Sequence, residues 1–256
     1  DTGLSCTISG TANSCSELLA SVSLLPGDTV SVKSTPSGTP ASPAQIYFGW
    51  IFESSSNNES LLLGTNRSTG LPVSGVQYGV LSGASTPNST LSLRDSVIPT
   101  SGSISSLYVE LSTAPGTGDA HQVRLLKNGS PTSLTCTVSG TATTCNDTLN
   151  SVSFVAGDTV VMEFTPSGPS PTGPLARWSM KWTPVIAGET ILSYASGNNL
   201  NTGGSLRYAP PGATSNTWQL VEPNAQVLVP GDFWIRKFVT TLNNAPGVGT
   251  SYTFTT

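Results

Sequence analysis

The residues best suited to chemistry are four cysteines in two matched pairs, Cys6 with Cys15 and Cys136 with Cys145. Each pair has eight residues between its members and brackets a Ser-Gly-Thr-Ala turn with alternating flanks. Folding such a segment as a hairpin sets the two sulfurs opposite each other, so the expectation is two disulfides. Zinc is the competing chemistry, but no histidine is near and the spacing lacks the short knuckle that zinc favours. A disulfide closing so small a loop contributes about 2–3 kcal/mol, and two of them point to an oxidising compartment.

The remaining candidates do not assemble into a catalytic set. The single histidine, His121, is expected to be an exposed strand residue. It is the one anchor a Ser-His-Asp triad has here, and no Gly-x-Ser-x-Gly elbow accompanies it. There is no phosphate-binding Gly-Lys-Ser/Thr loop and no His-Glu-x-x-His helix. Asp28 and Asp158 follow glycines at turns. Calcium ligation is one use for them, but no Asp-x-Asp-x-Asp run supports it, and turn capping is the reading taken. The 14 acidic residues include no pair marked out for glycoside hydrolysis. Trp178, Met180 and Trp182 alternate, as do Phe48, Trp50 and Phe52, which makes them core residues of strands. Trp218 and Trp234 are the aromatics left for sugar binding. Asn-x-Ser/Thr sequons at Asn58, Asn66, Asn88, Asn128 and Asn146 are candidate glycan attachment sites. No catalytic residue, cofactor or metal is expected.

The scaffold behind these residues is legible in the composition. Charged residues make up 9% of the 256, against roughly 25% in an average globular chain. Serine and threonine number 73, with 26 glycines and 19 prolines, a mixture that disfavours long helices and suits short strands joined by tight turns. The net charge of −4 is spread evenly, and the ten cations never cluster beyond Arg236-Lys237, so nucleic acid is not an expected partner. No apolar run approaches the roughly 18–20 residues of a membrane helix.

Internal repetition organises the chain. Residues 4–15 match 134–145 at an offset of 130, and the match continues through Gly27-Asp28-Thr29-Val30 and Gly157-Asp158-Thr159-Val160 to Phe48, Trp50, Phe52 against Trp178, Met180, Trp182. A second match, Ala114-Pro115-Gly116-Thr117-Gly118 against Ala245-Pro246-Gly247-Val248-Gly249, has an offset of 131, with a weaker echo of Gln77-Tyr78 in Arg207-Tyr208. The expected organisation is therefore one complete domain at 55–184 and a second whose first half is 185–256 and whose second half is 1–54. The two offsets sum to 261, five more than the chain length, and the gap corresponds to Leu126–Ser130, an Asn-Gly hairpin. The chain opens at Asp1 as a processed protein or an excerpt does. Strand 250–256, with Tyr252 and Phe254, then needs strand 1–6, with Leu4 and Cys6, as its partner. The pairing is open to three arrangements: within one molecule, between molecules, or along a longer covalent array.

Runs alternating in steps of two mark strands at 29–34, 47–52, 107–111, 122–126, 159–164, 177–182, 234–240 and 252–256. Many short strands in units of about 130 residues indicate an all-β chain of two sandwich or jelly-roll domains. The order Lys127-Asn128-Gly129, then 136–140, then 151–160 resembles the strand-and-turn grammar of C1q/TNF-like jelly rolls. It is similar also to tandem surface repeats of bacterial and phage structural proteins. That resemblance implies a secreted, self-assembling β-domain and transfers no catalytic residue. The expected function is a non-enzymatic subunit of an extracellular or cell-surface filament, partnered by copies of itself through head-to-tail strand complementation. A carbohydrate-binding adhesive module and a virion capsid or fibre protein are the alternatives.

Overall fold

The structure is a computed structural model that describes residues 4–38, 51–54, 58–66, 69–193, 207–209, 219–222, 234–240, 242 and 245–255. The chain divides into two compact units, Asp1–Pro43 and Ala44–Thr256. The fold is all-β. Its strands are β1 (Ser60–Thr65), β2 (Gln77–Gly79), β3 (Gly83–Ala84), β4 (Ser96–Val97), β5 (Gly102–Leu111), β6 (Gly116–Lys127), β7 (Ser130–Gly140), β8 (Thr144–Phe154), β9 (Thr159–Ser167) and β10 (Ala176–Pro184). One sheet runs β3-β1-β10-β5-β8 and the other β2-β9-β6-β7, with β4 also on β9. With the two-residue strands set aside, the chain order is 1-8-3-6 in one sheet and 2-7-4-5 in the other. This is the double Greek key of a jelly roll.

The alternation expected at 107–111, 122–126, 159–164 and 177–182 is realised in β5, β6, β9 and β10. Side chains alternate across a strand, and the inward phase fills the space between the sheets. Ile104 and Leu107 from β5, Val123 and Leu125 from β6, Val160, Met162 and Phe164 from β9, and Trp182 from β10 are all fully buried. Each large side chain so buried contributes about 1.5–3 kcal/mol. Strand β6 is central: it pairs antiparallel with β7 on one side, His121 opposite Val138, and with β9 on the other, Val123 opposite Phe164. Lys127-Asn128-Gly129 forms the expected tight turn between β6 and β7, with Asn128 at φ 51° and Gly129 at φ 73°.

Two expectations need correction. The cysteine segment 136–145 is not a hairpin. Strands β7 and β8 belong to different sheets, so the chain turns over at Ser139–Ala142 and crosses the sandwich, and the disulfide ties one sheet to the other. The reason is that β6 and β5, not β8 and β7, supply the ladders on which these two strands lie. The runs at 29–34, 234–240 and 252–255 form no strand. Most of 47–52 lies outside the described residues.

Close packing dictates several glycines, Gly79 among them. A Cβ built on Gly79 in β2 would lie 2.5 Å from Cε2 of Phe164, well inside contact distance. Gly79→Ala is expected to destabilise the sandwich by about 1–3 kcal/mol through overpacking, read as a lowered midpoint in chemical denaturation. An unchanged midpoint would show that the Phe164 ring is free to move aside.

Candidate functional site

Residues 4–38 carry the sequence of β7, β8 and β9 without their ladders. What they retain is local geometry. Cys6–Cys15 and Cys136–Cys145 are both disulfides with Cα atoms 5.8 Å apart. The Ala12 amide donates to the Ser9 carbonyl at 3.1 Å, as Ala142 does to Ser139. Leu25 N–H donates to Asp28 Oδ2 at 2.8 Å, as Val155 N–H does to Asp158 Oδ2. These are the turn-closing roles expected of the two aspartates. Glu17 Oε1 accepts from the amides of Leu19 and Ala20, and Asp147 Oδ1 from those of Leu149 and Asn150.

The C-terminal segment behaves in the same way. Ser106, at the bulge of β5, has φ 56°, and Lys237 at its repeat position also has φ 56°. A positive φ is uncommon outside glycine, so the coincidence marks a shared conformation. Gly116 and Gly247, at φ 117° and 105°, match likewise. The antiparallel bridge Tyr78–Asn88 recurs as Tyr208–Gln219. At these described positions, therefore, the repeat-equivalent residues share the local turns of residues 58–184.

They differ in burial. Leu134, Val138, Phe154, Val160 and Met162 are at most 1% exposed, while Leu4, Ile8, Leu24, Val30 and Val32 at the same positions are 40–51% exposed. Ile104 and Leu107 are fully buried, while Ile235 and Phe238 are 68% and 59% exposed. Tyr252 is 37% exposed and Phe254 half-buried, their rings 6.4 Å apart. Cys6 is exposed where Cys136 is buried. These exposed apolar residues, taken separately in each of the two units, are the candidate functional residues.

His121 is a correction to the sequence reading: it is fully buried. The signal was its phase, since His121, Val123 and Leu125 alternate on one face of β6. Its Nε2 lies 2.7 Å from the Thr172 carbonyl, and Nδ1 is buried without a partner. The neutral Nε2–H tautomer fits this setting, while protonation would strand a second N–H in the core. Burial accordingly pushes the imidazole below its ordinary range, against the opposing effects of the Thr172 carbonyl and Asp119. Asp158 shows the opposite outcome. Burial works to raise its pKa, but hydrogen bonds from Val155 N–H, Lys127 and Asn128 prevail and hold it at about 2. Lys127 Nζ lies 2.9 Å from its carboxylate.

The sequons separate by environment. Asn66 is fully buried, its Oδ1 accepting from Ala176 N–H at 2.8 Å. The Asn58 amide donates to the Pro184 carbonyl, Asn88 Oδ1 accepts from Thr90 N–H, and Asn128 binds Asp158 and Thr159. Asn146 is exposed on the edge strand β8. Trp178, Met180 and Trp182 are core residues as expected, whereas Phe52, expected in a strand core, is 40% exposed outside any strand; Trp234 is 84% exposed with the Arg236 guanidinium over its ring, and Phe48, Trp50 and Trp218 lie outside the described residues. Among the described residues no group of three metal-ligating side chains converges, and no helix is long and apolar enough to cross a membrane. No family model matches the chain, and no curated protein matches it either.

The buried imidazole predicts an acid-sensitive fold. Because the folded-state pKa is depressed, the stability His121 contributes is present above its unfolded value near 6.5 and is lost as pH falls. The unfolding free energy should decline as pH falls below about 6.5, with a slope approaching 1.4 kcal/mol per pH unit, and His121→Phe should flatten that decline. A slope unchanged in the variant would assign it elsewhere.

Proposed function

We propose that the chain is a non-catalytic structural subunit of an extracellular filament or surface layer, in which segment 185–256 of one copy completes segment 1–54 of another. The observation that carries this reading is the combination in the two halves: the backbone turns of a finished jelly roll, and a core face left uncovered. A half-sandwich cannot bury its apolar phase alone, and the complete domain shows which surface complements it, since β6 and β5 cover β7, β8 and β9. An exposed apolar surface of this kind favours association, and head-to-tail exchange of non-identical halves gives an open filament wherever its rotation does not close into a ring. The two disulfides fit an oxidising compartment, and the jelly-roll strand order is compatible with the C1q/TNF-like resemblance. The same logic holds whether neighbouring copies are separate chains or successive repeats of one.

Light scattering across a concentration series tests the reading. The chain should reach multiples of its single-chain mass, and Ile8→Asp should abolish that growth while the near-UV signal of Trp178 and Trp182 is kept. A chain that stays single at every concentration, or an Ile8→Asp variant that assembles normally, contradicts it.

Glycans are a proposed partner at one sequon. In a secretory host that transfers lipid-linked oligosaccharide to Asn-x-Ser/Thr, Asn146 is the expected acceptor, with peptide mass analysis showing the added hexoses there and none on buried Asn66. A glycan on Asn66 would contradict the structural placement.

A further inference from the structure

Within the complete domain, Val123 of β6 stands directly opposite Phe164 of β9, and both are fully buried. The Phe164 ring reaches Trp178, with centroids 5.3 Å apart, and fills the space over Gly79. At the matching positions of the second copy, Phe254 replaces Val123 and Ser34 replaces Phe164. The recurring bridge at Tyr78 and Tyr208 fixes the third position, so Ala209 replaces Gly79. The aromatic ring has changed strands. With serine in place of Phe164, the Cβ–ring clash that excludes a side chain at Gly79 has no counterpart from that strand at Ala209.

We infer that Phe254, Ser34 and Ala209 form a recognition key by which the two halves of the second domain select each other and refuse the halves of the first; this rests on the assembly reading above. The partner is another copy of this chain. Carrying the register of β6 and β9 across places Phe254 opposite Ser34 and Tyr252 opposite Pro36. The two sets are not interchangeable. Val123 against Ser34 leaves a void where a ring belongs. Phe254 against Phe164 puts two rings in the space of one. Ala209 beside Phe164 sets a Cβ where only 2.5 Å is free.

Repeated domains of one chain are prone to exchange halves with the wrong copy, and building clashes against the wrong partner is a general route to specificity.

The test uses the full chain and sedimentation across a concentration series. Ser34→Phe and Phe254→Val are each expected to raise the concentration for half-assembly about tenfold or more. The triple variant S34F/A209G/F254V, which reinstates the set of the complete domain, should return to within a few-fold of the unmodified chain. A triple variant as weak as the product of its single changes overturns the key while leaving the assembly reading intact. An unmodified chain that does not assemble overturns both. Near-UV dichroism of the complete domain reports folding throughout. If S34F collapses the N-terminal half, the milder S34V with F254L decides the matter by the same criterion of mutual rescue.

Discussion

Strand β6 lies between β7 and β9, and its inward side chains His121, Val123 and Leu125 are fully buried by neighbours from both sheets. A jelly roll cannot dispense with such a central strand. Without it β7 and β9 lose a ladder each, and the apolar phase of both faces solvent. Ordering a residue costs about 1–2 kcal/mol of backbone entropy, so a strand that neither pairs nor buries its side chains has nothing to offset that cost. Residues 4–38 are consistent with this: they keep the turns and most of the apolar positions of β7, β8 and β9, though Ser34 stands for Phe164, and no strand forms.

What survives in those residues is local. Disulfides, carboxylate-closed turns and positive-φ positions depend on partners a few residues away, so they form in either context. Sheet pairing depends on partners distant in sequence and forms only where these are supplied. The same separation explains why Cys6–Cys15 forms as Cys136–Cys145 does, although only the latter ties two sheets together, β7 to β8.

The repeat, the disulfide pairing, the tight turn at Asn128-Gly129 and the strands built from alternating runs were legible in the sequence because each rests on short-range spacing. The cross-sheet path of the cysteine segment was not, since a two-residue period says which face a side chain takes but not which sheet its strand joins. The burial of His121 was readable in principle from its phase with Val123 and Leu125, yet the general preference of histidine for exposed sites pointed the other way. The reciprocal change at Val123/Phe164 and Phe254/Ser34 was present in the repeat, but only the register of β6 on β9 shows that the two positions face each other.

On the proposed assembly, residues 4–38 and, in the C-terminal half, 234–240 and 245–255 become sheet only when another copy supplies the missing half. Amide hydrogen exchange on the full chain, dilute and concentrated, tests this most directly. Both segments should exchange rapidly when chains are separate and become as protected as β6 and β9 on assembly, while the complete domain is protected in both conditions. Protection of both segments in the dilute single chain, or their continued rapid exchange in the assembled state, would contradict it.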